Sequence, residues 1–248
     1  MSHPSSSPRL AVDGGLDAYS VTSRRPARHG LTAGLLVAGA VLVNVAFVGL
    51  GSVFDYPDVL NHPAAEVLAT FHEKQAPVSA LFLLLALGAG LMAPIAICVG
   101  RLGSSRLLRA SVVVGVAAAV VQVVGLLRWP LLVPGLAATP QDPGAISTFH
   151  TLNVVLGTVV GETIGYALTA AWTVMVAIAL RDRMLGRVLS TVGLVAAALI
   201  AVGTVEPLDV PMAGLLNFGG YVVWSAWLVA FAVRVLLLAR RERAAVAN

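Results

Sequence analysis

Long apolar runs, broken by clusters of charge, dominate the chain. Reading outward from the charges gives six runs, at about 31–52, 77–100, 110–127, 151–180, 188–205 and 212–238. Each approaches or exceeds the ~20 residues that carry a helix across ~30 Å of hydrocarbon. The bilayer core holds no water, so each run must satisfy its own backbone hydrogen bonds, and only helices or closed barrels do so. These runs are too long and too continuous for barrel strands. The pattern predicts an all-α integral membrane protein with six transmembrane helices in one bundle. Between the first two runs the segment NHPAAEVLATFHEKQ, 61–75, reads differently. Helical from Pro63, it places Glu66 and Glu73 on one face and Val67, Leu68 and Phe71 on another, a short amphipathic helix fit to lie on the outer surface or cap the bundle.

Composition agrees with the pattern: of 248 residues 58% are hydrophobic and 11% charged, against roughly a quarter charged in a soluble domain. Cytoplasmic loops retain Lys and Arg, and here every one of the 16 basic residues except Lys74 and Arg128 falls on one side of the six runs. Both termini are therefore expected in the cytoplasm of a bacterial plasma membrane protein, with the amphipathic helix outside. The same asymmetry accounts for the pI of about 9.8 as a topology signal, so nucleic acid is not an expected partner. Residues 1–30, rich in Ser, Pro and Arg, are expected as a disordered tail, 31–238 as the membrane domain and 239–248 as a solvated C-terminal tail. Arg24-Arg25 precedes a run long enough to span and without a clear cleavage site, which argues against an export signal. A single cysteine, Cys98, excludes an intramolecular disulfide and CxxC chemistry. No phosphate loop, GxSxG elbow or HExxH occurs.

Chemistry concentrates at the outer ends of the runs. FDYP at Phe54–Pro57, LRWP at Leu127–Pro130 and VEP at Val205–Pro207 close the three outward-going runs, which predicts three helix ends at the headgroup level with Tyr56 and Trp129 as interfacial aromatics. Nineteen residues separate Arg109 from Arg128, Glu162 from Arg181 and Arg187 from Glu206. At ~1.5 Å per residue all three outer charges lie ~28 Å from the inner interface. Arg128 and Glu162 are on consecutive antiparallel helices, and pairing lowers the cost of charge in the membrane, so an Arg128–Glu162 ion pair is expected. On the fourth run Asn153, Gly157, Gly161, Gly165, Thr169 and Thr173 recur at i+4, a small-residue stripe that lets another backbone approach. Thr158, Glu162 and Tyr166 form a second stripe beside it, with His150 one turn before Asn153.

FDYPDVL, LRWPLLVPGLA and a histidine followed by GETIGY resemble bacterial membrane proteins of domain-of-unknown-function family 4386, over most of residues 31–235. The resemblance implies a multi-span protein in which Arg128, His150, Gly161 and Glu162 match the family's polar positions, and it brings no activity or cofactor.

The lipid bilayer is the expected partner; oligomeric state is not legible. His62, Glu66, His72 and Glu73 offer oxygen and imidazole donors that suit Zn, with His150 able to approach, but no ligand motif marks them, and no metal or other cofactor is expected. Binding or transport of a small solute, an ion or a lipid headgroup is the first expectation. Its outward pocket comprises Arg128, Glu162, His150, Asn153, Tyr166, Glu206 and Asn217, with Gly157, Gly161 and Gly165 for helix packing and Pro94 able to bend the second run. A membrane enzyme using Glu162 or His150 as acid or base on a lipid is the alternative, though no nucleophile motif supports it. The third is an accessory subunit in which the pair only locks helix packing.

Overall fold

Six helices are long and apolar enough to cross a membrane: His29–Phe54, Gln75–Gly100, Arg106–Ala137, Pro143–Ala179, Arg181–Leu208 and Ala213–Ala245, called here spans one to six. The structure is a computed structural model that describes residues 15–208 and 210–247, and no strand occurs among them. The helix of span one extends back to Gly15, into the segment expected as a tail, while residues 1–14 and Asp209 lie outside the described residues.

Local chemistry sets several boundaries. The Ser105 side chain accepts a hydrogen bond from the Leu108 N–H at 3.1 Å and so caps the start of span three. Asp142 does the same for span four, accepting from the Ala145 N–H at 2.8 Å, with Pro143 in the first turn where its missing N–H costs nothing. Gly186 adopts φ 72°, a left-handed conformation that favours glycine, in the turn region at the start of span five.

LRWP does not end span three as its sequence suggests. The helix runs through Pro130 to Leu131, and Leu132 N–H donates back to Arg128 O at 2.9 Å before a further turn, Val133–Ala137. Span four likewise starts at Pro143, earlier than the apolar run. FDYP does follow a helix end, at Phe54. The segment between spans one and two forms the expected helix, Ala64–Glu73, with Val67, Leu68 and Phe71 buried.

The main helix contacts run in chain order: each span packs on the one before and the one after it, and span six closes on span one. The result is a ring of six helices with side chains filling its axis. Across one end lies a cap made by Ala64–Glu73, Val133–Ala137 and Pro143–Leu152, which touch one another. Trp129 anchors the core under the cap, stacked on Phe82 at 4.8 Å and edge-on to Phe54 at 5.3 Å. A second apolar core fills the far end, where Trp172 lies edge-on to Trp224 and Trp227.

Spans three and four approach closely because of their glycines. A Cβ on Gly125 would stand 2.7 Å from the Gly161 Cα and 2.8 Å from the Leu156 carbonyl oxygen, distances no side chain tolerates. The expected glycine stripe therefore packs against span three, with Gly165 facing the Gln122 side chain.

Candidate functional site

Arg128 is 4% exposed, between the two apolar cores. A guanidinium there must spend its donors within the protein. One terminal nitrogen donates to Gly125 O at 2.6 Å and the other to Asn153 Oδ1 at 2.9 Å. The group lies against the Trp129 ring, 5.4 Å from its centroid, in space that Gly157 leaves open: a Cβ on Gly157 would stand 2.6 Å from an Arg128 terminal nitrogen.

The expected Arg128–Glu162 ion pair does not close. Among the described residues the one ion pair within 4 Å joins His62 and Glu66, at 3.5 Å on the exposed face of the cap. Arg128 reaches Asn153 instead, because the Asn amide oxygen sits within hydrogen-bond distance on the nearest part of span four. Glu162 is half-buried, its carboxylate accepts no hydrogen bond among the described residues, and it has Arg128 and Glu206 as its charged neighbours.

The backbone of span four explains where Glu162 points. Asn153–Ile164 is a π-helix of 12 residues, with i→i+5 hydrogen bonding. In an α-helix five residues advance about 140° beyond one full turn, which would turn Glu162 well away from Gly157. The wider π turn takes more residues per revolution and keeps Glu162 nearer the Gly157 face, where Arg128 lies. Such π segments collect at functional sites.

Other spans complete the cluster. Tyr56, just beyond span one, packs edge-on to Phe82 at 5.3 Å and to Phe47 at 5.8 Å. Burial pushes its phenol above the ordinary range; Glu162 and Glu206 add to the shift and Arg128 opposes it. From span four, the Tyr166 ring meets Tyr221 at 5.7 Å and has Glu162 and Glu206 among its charged neighbours. Asn217 of span six is buried and donates to Ile200 O at 2.8 Å, beside Tyr166 where Gly203 leaves room for both. Glu206, at the end of span five, is exposed and lies over Gly214, whose Cβ would stand 2.9 Å from a carboxylate oxygen.

Arg128, Glu162, Tyr166, Glu206, Asn153 and Asn217 thus gather at the capped end of the ring. His150 does not join them: it is exposed and its side chain makes no hydrogen bond among the described residues. Tyr56 was missed as a site residue, since FDYP reads equally well as a helix end with an interfacial aromatic. Below the cluster a polar seam continues, with Gln122 Nε2 donating to Thr169 Oγ1 at 3.0 Å and Trp224 Nε1 to Thr173 Oγ1 at 2.8 Å. No pattern on a single helix announces that seam, because it joins spans three, four and six.

Among the described residues no three His, Cys, Asp or Glu side chains come together as a metal site, so His72 and Glu73 do not complete a donor set with His62 and Glu66. A separate cleft of about 300 Å³ lies between the end of span one and the cap, lined by Asp55, His62, Glu66 and Lys74 among others. Lys74 Nζ is committed there to Val53 O at 2.9 Å.

Fold and site together define a six-span helical membrane protein with a partly buried polar cluster at one end of a helix ring. The chain belongs to the family described as Domain of unknown function (DUF4386), whose model matches residues 31–232. No curated protein and no solved structure matches the chain.

Proposed function

We propose that this protein binds, and in doing so moves or retains, a small solute, an ion or a lipid headgroup in an outward-facing pocket around Arg128 and Glu162. One observation carries the reading. Arg128 is held by Gly125 and Asn153, while the neighbouring Glu162 carboxylate is half-buried with no hydrogen-bond donor among the described residues. A pair serving only to fix helix packing would be closed; this one leaves an acid within the membrane free to meet something else. The cap packs along spans three and four, whereas Glu206 and the turn into span six are exposed, which favours entry from the side of spans five and six.

The distribution of arginines supports cytoplasmic termini and an outward cap in a bacterial plasma membrane. Single cysteines at Asp58 and at Asp182, in a Cys98→Ser background, test that topology. An impermeant thiol reagent added to intact cells is expected to label the first and spare the second; the reverse pattern would invert the molecule.

Glu162→Gln and Arg128→Met, made singly and together in membranes, test the pocket. Glu162→Gln is expected to abolish ligand binding in a protein that still inserts and elutes as one species. A double variant that restores every wild-type phenotype would reduce Arg128 and Glu162 to a packing lock.

A further inference from the structure

We propose that the cleft between the end of span one and the cap binds a zwitterion that joins a primary ammonium to a phosphate, the chemistry of an ethanolamine phosphate headgroup. The site stands apart from Arg128 and Glu162 and does not rest on the pocket reading above. Its volume is about 300 Å³, at the small end of the range for ligand pockets. Span one supplies one wall through Ser52, Val53 and Phe54, with Asp55 just beyond, and the cap supplies the other. On the cap side His62, Glu66, Thr70 and Lys74 recur at every fourth residue along Ala64–Glu73 and its flanks, so they share one face, and each of them lines the cleft.

Both signs of charge line this space without closing on each other. Lys74 Nζ donates to Val53 O at 2.9 Å, in the last turn of span one, where backbone carbonyls lack helical partners and a cation is favoured. An ammonium carries three N–H groups, so others remain for an anion. Asp55 and Glu66 are the acids of the cleft, yet Lys74 forms no ion pair within 4 Å with either. Among the described residues only His62 Nδ1 and Glu66 Oε2 come that close, at 3.5 Å. The Asp55 carboxylate and Thr70 Oγ1 make no hydrogen bond among the described residues. A zwitterion placed between the two signs pairs with both at once: its anionic oxygens accept from Lys74 and Thr70, and its ammonium donates to Asp55 and Glu66.

The lining selects among zwitterions. A quaternary ammonium is held by aromatic cages, whereas Phe54 is the one aromatic side chain of this cleft among the described residues, and it already packs edge-on against Phe71, Phe82 and Trp129. Carboxylates accept N–H bonds, which a primary ammonium offers and a trimethylammonium does not. Lysine binds phosphate as a point charge. Val59 and Val67, buried behind the rim, give the carbons of the ligand an apolar floor. The cleft lies where span one ends at Phe54, and its rim residues His62, Glu66 and Lys74 are exposed. It is therefore open at the level of lipid headgroups and to water alike, and the same chemistry reaches it on a membrane lipid or as free O-phosphoethanolamine.

The test uses the full chain in phosphatidylcholine nanodiscs. One arm adds phosphatidylethanolamine with a photoactivatable group beside the glycerol and maps the crosslink; the other adds radiolabelled O-phosphoethanolamine from solution. Saturable labelling of residues 51–74, displaced by unlabelled phosphatidylethanolamine, is expected and assigns a lipid ligand. Saturable binding of the free compound supports the same chemistry and assigns a solute. In either arm Lys74→Met and Glu66→Gln should each weaken binding roughly threefold to fivefold, the scale of an exposed charge pair. Lys74→Arg and Glu66→Asp, which keep the charges, should retain part of it. Glu73→Gln, an exposed acid of the same helix outside the cleft, should leave it unchanged. Elution as a single species shows that each variant is folded. Failure of both arms overturns the inference, as does equal labelling by the matching phosphatidylcholine analogue. Displacement by glycine or glycerol phosphate as effective as by the unlabelled ligand overturns it too, and so does binding that survives Lys74→Met and Glu66→Gln undiminished.

Discussion

Asn153 does the work expected of Glu162. Its amide oxygen accepts from a buried guanidinium, so Asn153→Ala leaves a charged donor without a partner. A hydrogen bond to a charged group contributes about 1.5–3 kcal/mol, and the variant should lose that much stability in detergent-titrated unfolding of mixed micelles. Gly161→Leu should cost a similar amount for a different reason, since spans three and four touch backbone to backbone at Gly125 and overpacking costs roughly 1–3 kcal/mol. Gly30→Ala is the control, because nothing lies within 4 Å of a Cβ there. Tyr56 gives a prediction in pH. Its phenol is shifted above the ordinary value of 10.0, so the neutral form persists where a free tyrosine would ionise. Tyr56→Phe should therefore leave the tyrosinate absorbance unchanged up to about pH 10, and a tyrosinate signal lost below that would contradict the burial of Tyr56.

Among the elements, the spans and the cap helix were legible in the sequence because lipid imposes a simple rule on side chains. The alternation of Val67, Leu68 and Phe71 with Glu66 and Glu73 named the buried face of Ala64–Glu73 correctly. The glycine stripe was legible too, since small residues at i+4 have few other uses in a membrane helix. The π-helix at Asn153–Ile164 was not. Its residues carry no pattern that separates i→i+5 from i→i+4 bonding, and only the packing of Gly157 beneath Arg128 distinguishes them. LRWP misled for a related reason: proline usually marks a helix end, yet here the turn beyond it is held by Leu132 donating to Arg128 O. The π segment makes a prediction of its own. Deleting the exposed Val159 removes one residue from the wide turns and should rotate Glu162 relative to Gly157 by about 100° if α-helical bonding is restored. Ligand binding should fall while membrane insertion, measured by alkaline extraction, persists.

For the whole molecule, the partition of charge and the number of spans follow from composition, but closure of the ring does not. Nothing in six apolar runs says that span six returns to span one, and no loop joins those two helices. Five seams of the ring are each bridged by a connection between consecutive spans; the sixth is bridged by side chains alone. Across it, inside the membrane, Asn44 Nδ2 donates to Ser225 Oγ at 2.9 Å. In a Cys98→Ser background, Asn44→Cys with Ser225→Cys should form an intramolecular disulfide on mild oxidation, seen as a shift in gel mobility that reductant reverses. A ring tied at every seam but one behaves as a bracelet with a clasp: the first and last helices can part without stretching any loop, and the Asn44–Ser225 hydrogen bond together with the Phe47–Phe218 ring contact forms the catch.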